Sequence, residues 1–222
     1  MTIVDVDTIV FDLDGTLIDS KEDIADALNH TFGEMGYDPL PMSVIESFVG
    51  NGINPLIHKA VIAADHLERE TEALNLFRER YWERLLVKTR PYDGVADTLK
   101  KLGGRYHMGL ISNKPQRFTF KIVDELGWGP YFDGAVYGGD TLPVKKPDPA
   151  ALLAIAEKYG TAPERLMIVG DSAVDVATGR NAGARTVGVT YGFRGVDELK
   201  DAGVEILIDR FGELLDILGG AK

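Results

Sequence analysis

The chain contains no cysteine, which excludes disulfides, thiolate metal sites and a cysteine nucleophile; any chemistry must come from oxygen and nitrogen groups. No apolar run approaches the roughly 20 residues that crossing a bilayer needs, and no basic segment followed by an apolar one opens the sequence. Positive charge is scarce. Against 35 Asp and Glu stand 24 Lys and Arg, and the net charge of −11 disfavours nucleic acid or an anionic membrane as partner. Repeats, low-complexity segments and long linkers are also missing. These absences leave the expectation of a cytoplasmic protein, monomer or homodimer, that handles a small ligand with a few local cationic groups. At 222 residues and 45% hydrophobic content, the chain can bury one full core and a smaller accessory unit.

The most informative stretch that is present runs from Thr8 to Ser20, where an apolar strand ends in Asp12 and Asp14 and the chain turns at Gly15. The β-branched and aromatic run Ile9, Val10, Phe11 reads as a buried parallel strand. Such a strand delivers Asp12 to its carboxyl end, where open α/β sheets place their ligand crevices. A carboxylate there can attack an electrophile or hold a cation, with Asp14 beside it as acid, base or ligand. The same residues also fit a plain Asp-Gly-Thr turn with Asp14 bonded to its own backbone. Taken alone, the stretch leaves both readings open.

Further along, a second apolar strand ends in Ser112-Asn113, Lys146 precedes Pro147, and a third apolar run ends in Gly170-Asp171 with Asp175 four residues on. In this order the motifs resemble the four-motif signature of the haloacid dehalogenase-like superfamily of phosphohydrolases. Val49-Gly50-Asn51-Gly52, Tyr92-Asp93-Gly94-Val95-Ala96, Ser112-Asn113-Lys114-Pro115 and Val189-Thr190-Tyr191-Gly192 extend the likeness over nearly the whole chain. With them the sequence is similar to the phosphoglycolate phosphatases of that superfamily. The resemblance implies hydrolysis of a small phosphorylated metabolite, 2-phosphoglycolate first, with pyrophosphate or a broader range of sugar phosphates as the alternative.

The organisation is insertional. Between Ser20 and about Lys88 no convincing strand occurs, but helical stripes do: Ile24, Leu28, Phe32, Met35, then Leu74, Phe77, Tyr81, Leu85. Ser20 followed by Asp23 resembles a capping box that starts the first of these helices. From Asp93 onward helices (95–102, 117–126, 149–159, 174–182) alternate with strands (106–111, 135–137, 166–169, 186–189), the pattern of βαβ units and a parallel sheet covered on both faces. The expected architecture is a doubly wound, Rossmann-like α/β core, residues 1–18 and 89–222, with an inserted all-helical cap, residues 19–88, hinged near 17–20 and 88–92.

Phosphate monoesters are anionic, so their hydrolysis needs cationic screening, an in-line nucleophile and protonation of the leaving oxygen. Carried over by resemblance, Asp12 is the nucleophile that forms an aspartyl-phosphate, and Asp14 protonates the departing alkoxide and then activates water. The family also assigns Mg²⁺ to the Asp12 side chain, the Asp14 main-chain carbonyl and Asp171. Asp175 acts on that ion through a water or orients Lys146; it also suits the start of a helix, where its charge complements the dipole. Like charges about 4 Å apart repel by about 4 kcal/mol at an effective dielectric near 20, so converging aspartates call for a divalent ion and a lysine. Lys146, before Pro147, is preferred for this over Lys145, which reads as a solvated charge. Ser112 and the N–H of Asn113 are assigned to the transferring phosphoryl oxygens, although Ser-Asn after a strand is also an ordinary turn.

In the helical segment, Gly50, Asn51 and Gly52 permit close backbone approach to a small substrate, and equally make an interhelical turn. Lys59, with Lys21 and His58, is a cationic candidate for reading a substrate carboxylate. His30, His66 and His107 lack metal-site spacing and read as structural. A receiver-type regulatory module would also phosphorylate an aspartate on such a sheet, but it has no use for the insert or for an acid at Asp14. A dehalogenase is expected to lack Asp14. A β-phosphoglucomutase carries a cap histidine twelve residues after the nucleophile, where this sequence has Ile24.

Overall fold

Strand β1, Thr8–Phe11, is buried along its whole length. That is why it reads as an unbroken apolar run rather than an alternation: a central parallel strand has no solvent face. The computed structural model describes residues 4–219. After β1 come a short strand β2, Ile18–Asp19, then helices α1, Lys21–Glu34, α2, Met42–Glu46, α3, Ile53–Ala63, and α4, Glu70–Arg84. Strand β3, Arg90–Pro91, is followed by α5, Val95–Leu102, β4, His107–Ile111, α6, Gln116–Glu125, α7, Gly129–Phe132, and β5, Val136–Tyr137. Helix α8, Ala150–Tyr159, leads to β6, Leu166–Gly170, α9, Ala173–Ala182, β7, Arg185–Val189, α10, Val196–Asp201, β8, Ile206–Ile208, and α11, Glu213–Ile217.

Six strands form one sheet in the order β5-β4-β1-β6-β7-β8. All pairings in it are parallel, with Phe11 level with Leu110 on one side and Val169 on the other. The chain winds outward in one direction through β4 and β5, returns, and winds outward in the other through β6, β7 and β8. The reversal lies between β1 and β6, which is where doubly wound sheets open their ligand crevice. Neighbouring residues of a strand face opposite sides of a sheet. Accordingly Val10 joins Ile111, Ile168 and the α8 residues Leu152 and Ile155 in one core. Phe11 meets Phe132 and Phe211, with ring centroids 6.5 and 5.7 Å away. Helices thus cover both faces, and the class is α/β as expected. The sequence pattern does not predict strand β8: three residues long, at the sheet edge and with Ile206 and Leu207 only half-buried, it is too short to display a period.

Contacts divide the chain into two compact units: one from the N-terminal side up to Ile18 and from Pro91 onward, the other Asp19–Arg90. The second is helical. In it α1 packs on α4, burying Ile24, Leu28 and Phe32 on one helix and Ala73, Phe77 and Tyr81 on the other. Leu74, expected in that stripe, is only half-buried, because the inward face of α4 begins one residue earlier at Ala73.

The expected capping box at Ser20 does not form. Asp23 turns away from the helix start and accepts hydrogen bonds from the N–H groups of Lys88 (2.9 Å) and Thr89 (2.7 Å) and from the Thr89 hydroxyl (2.8 Å). The carboxylate is fully buried. Buried donors left without their acceptor cost about 1–3 kcal/mol each, so Asp23→Ala is expected to destabilise this unit by about 2–4 kcal/mol, measured by urea unfolding. A change below about 0.5 kcal/mol, the size of an ordinary surface substitution, would show that these bonds are replaced by water without loss.

Candidate active site

Asp12 continues the ladder one step beyond β1, its N–H bonded to the carbonyl of Val169 at 2.9 Å, so its side chain emerges at the carboxyl end of the central strand. A tight turn follows, closed by Leu17 N–H to Leu13 O at 2.9 Å and Gly15 N–H to Ile18 O at 2.9 Å. Gly15 holds φ at +86°, the left-handed region open to glycine. A side chain there would also collide with the carboxylate of Asp171, as would one at Gly192. Two residues without Cβ atoms therefore leave the slot in which Asp171 sits. Its Oδ2 accepts the N–H of Phe193 at 2.7 Å.

Asp171 follows β6, the strand beside β1 across the switch point, and Asp175 lies in the first turn of α9. Asp175 does act at its helix start, accepting the Ser172 hydroxyl at 2.6 Å and the Ser172 N–H at 3.2 Å through Oδ2. Its other oxygen takes Lys146. The Lys146 ammonium donates to Asp12 Oδ1 and to Asp175 Oδ1, both at 2.6 Å, with 3% of its side chain exposed. Lys146 is thus the lysine of the cluster, while Lys145 is exposed. The Asn113 amide reaches the Lys146 carbonyl at 3.3 Å and ties the end of β4 to the lysine loop. Ser112 is buried, with its N–H on the Tyr137 carbonyl at 2.8 Å.

Burial dominates the electrostatics. It pushes the Asp12 carboxyl up to about 7 although Lys146 pulls the other way, and the charge of Asp175 adds to the rise. Asp171 is raised well above the usual carboxylate range, first by burial and then by the charges of Asp12 and Asp175. For Lys146 burial works against the charged form, but Asp12 and Asp175 overcome it and hold the ammonium above its ordinary value.

Oxygens of Asp12, Asp171 and Asp175 all lie within 4.8 Å of one another, and all three residues are buried. With all three ionised, the carboxylates around the ammonium of Lys146 leave two negative charges in excess, the charge of one divalent cation. The donor set is hard and oxygen-only, as Mg²⁺ prefers. The residues fit such an ion.

Sequence reasoning gives Lys114 no role of its own, only a place in the block Ser112-Asn113-Lys114-Pro115. Its side chain is 5% exposed, and its ammonium lies 2.6 Å from Asp14 Oδ1. Its one local signal is its place at the carboxyl end of the strand that neighbours β1. The Phe193 N–H on Asp171 had no sequence signal at all.

Gly50, Asn51, Gly52 and Lys59 lie in the helical unit. Gly50 and Gly52 have φ of 110° and 90°, and Gly52 is the residue from which α3 starts, so the Gly-Asn-Gly block forms a helix-entry turn. Lys59 is exposed, 6.0 Å from the Phe48 ring centroid. The other cationic candidates meet carboxylates of their own unit: Lys21 is 3.3 Å from Asp19, and His58 is 3.0 Å from Glu70. His66 stacks on Tyr37 at 3.8 Å and His107 on Tyr159 at 4.3 Å.

Residues 9–189 match the model of the haloacid dehalogenase-like hydrolases. The sequence is 37% identical to the phosphoglycolate phosphatase of Psychrobacter arcticus, over 96% of this chain and 96% of that protein. It is 40% identical to phosphoglycolate phosphatase 1 of Pseudomonas aeruginosa, over 93% of this chain and 78% of that one. A crystal structure described as a predicted phosphoglycolate phosphatase from Haemophilus somnus superposes with a TM-score of 0.90 at 28% identity, covering 96% of this chain and 97% of that one.

Proposed function

The chain belongs to the haloacid dehalogenase-like hydrolase family, and from that premise we propose that it hydrolyses 2-phosphoglycolate to glycolate and phosphate through an aspartyl-phosphate on Asp12. The enzyme class, a phosphoric monoester hydrolase, follows from the relatives. The observation that supports the mechanism is the bond from Lys146 to Asp12 beside Asp171 and Asp175 at the switch point of the sheet.

In this reading Asp12 attacks phosphorus with the oxygen that Lys146 does not hold, and Lys146 keeps the carboxylate oriented. Asp175, bonded to the same ammonium and to Ser172, fixes the position of Lys146. The Ser112 hydroxyl and the Asn113 N–H receive the phosphoryl oxygens. Asp14 protonates the departing alkoxide and later takes a proton from the water that opens the aspartyl-phosphate. Mg²⁺, when bound, supplies charge screening of the phosphoryl group; the Asp12 side chain, the Asp14 carbonyl and Asp171 would hold it, with Asp175 alongside.

The choice of 2-phosphoglycolate rests on the relatives' names and on the blocks shared with that family. The assignment of residues 19–88 as cap, and of Gly50, Asn51, Gly52 and Lys59 to the leaving group, rests on the same likeness. Steady-state kinetics over 2-phosphoglycolate, hexose phosphates, nucleotides and pyrophosphate tests it. The highest kcat/KM is expected for 2-phosphoglycolate, by about tenfold or more. A preference for pyrophosphate or hexose phosphates would discard the substrate and keep the phosphatase; no turnover of any of them would discard both.

A further inference from the structure

We propose that Lys114 is a positioning residue for Asp14: its ammonium holds one oxygen of the side chain, Oδ1, and so aims the other oxygen, which carries the proton in the acid form, at the leaving oxygen. The inference rests on the reading of Asp14 as the acid and adds to it the group that aims that acid. A lysine is seldom buried without a specific partner. Here the side chain is 5% exposed and its ammonium is 2.6 Å from an oxygen of Asp14, itself 12% exposed.

The backbone that carries Lys114 is fixed on both sides. Its N–H donates to the Ser112 hydroxyl oxygen at 3.2 Å. Its carbonyl accepts the N–H of Gly139 at 2.8 Å and the Thr119 hydroxyl at 3.2 Å. Pro115 follows as the residue from which α6 starts. The long flexible stem therefore springs from a rigid root. Asp14 sits on a turn whose main chain is equally well tied, and a short charged bond restricts the rotation of its carboxylate. The other lysine of the site is already engaged, since Lys146 bridges Asp12 and Asp175. The two carboxylates with roles in the chemistry are thus each held by a different lysine: Asp12 by Lys146 and Asp14 by Lys114. Positioning of this kind matters, because small displacements of a reacting group cost about 10²-fold in rate.

The test uses the leaving group. Lys114→Met, Lys114→Arg, Asp14→Ala and the double variant Asp14→Ala/Lys114→Met are compared with the native protein on three esters. 2-Phosphoglycolate and 2-hydroxyethyl phosphate have poor alkoxide leaving groups, one with a carboxylate and one without; p-nitrophenyl phosphate has a good leaving group that needs little protonation. Lys114→Met is expected to lower kcat on both alkyl esters by about 10²-fold and on the aryl ester by less than about fivefold, the contrast of an impaired general acid. Lys114→Arg should recover part of the loss, and the double variant should be no worse than Asp14→Ala. Ratios between substrates within one preparation do not depend on how much of a variant is folded. Equal losses on all three esters would overturn the inference in favour of a structural ion pair. A loss confined to 2-phosphoglycolate would overturn it in favour of Lys114 reading the carboxylate. If Asp14→Ala itself shows no alkyl-to-aryl contrast, the assignment of Asp14 as the acid fails and the inference falls with it.

Discussion

Asp12→Asn is expected to lower kcat on every phosphomonoester by on the order of 10⁴-fold or more, the scale seen when a nucleophile is removed, while the fold stays intact. The amide has nearly the same shape, but it is a poor nucleophile and carries no charge. Its effect on stability should run opposite to its effect on activity. In the metal-free protein, burial lifts the Asp12 carboxyl to about 7, which means that the buried site favours its neutral form. At pH 8 the native residue is ionised against that preference, and asparagine relieves the strain. Lys146 loses one partner but keeps Asp175 at 2.6 Å. The metal-free variant should therefore melt at or above the native temperature at pH 8. Steady-state assays and thermal melts on one preparation measure both. Near-native turnover would sink the nucleophile assignment; lost turnover with a much lower melting temperature would mean that Asp12 holds the fold together.

Much of this arrangement was legible because a central parallel strand advertises itself. Ile9, Val10 and Phe11 are buried on both faces, so the run is continuous and its end at Asp12 is sharp. The same holds for Leu166–Gly170 before Asp171. The alternation of strands and helices then determined the class. What stayed hidden depends on contacts between distant segments. Lys114 and Asp14 are one hundred residues apart in sequence, and they meet because β4 pairs with β1 in the register that sets Leu110 beside Phe11. Nothing local to Lys114 encodes that register. Asp23 shows the reverse error. Ser20 and Asp23 have the spacing of a local cap, but the donors of Lys88 and Thr89 offered the carboxylate three bonds in a dry site, and the tertiary partners won. Gly15 and Gly192 were visible as turn residues, whereas their shared purpose, making room for Asp171, required the packed structure.

Removing divalent metal is expected to abolish turnover, and restoring Mg²⁺ to return it, with Ca²⁺ inhibiting because its larger and more variable coordination disturbs in-line geometry. The pH dependence of stability gives a second readout that does not rely on activity. Burial raises the carboxyl groups of Asp12 and Asp171 in the metal-free protein, so the folded state binds their protons more tightly than the unfolded chain does. Stability must then fall as pH rises from the ordinary carboxylate range near 4 through about 7, where Asp12 titrates. As Asp12 and Asp171 ionise, the cluster gains negative charge beyond what Lys146 offsets, and a divalent cation stabilises the folded state by mass action. At lower pH the cation must displace protons to bind. The rise in melting temperature on adding Mg²⁺ should accordingly be small near pH 5.5 and several degrees larger near pH 8, a size typical of about 1 kcal/mol or more in a domain of this kind. Asp171→Asn should flatten that difference and raise the Mg²⁺ concentration needed for activity. Full turnover in excess chelator, or a melting temperature that ignores Mg²⁺ at pH 8, would remove the metal from the mechanism and leave Lys146 to balance the three aspartates.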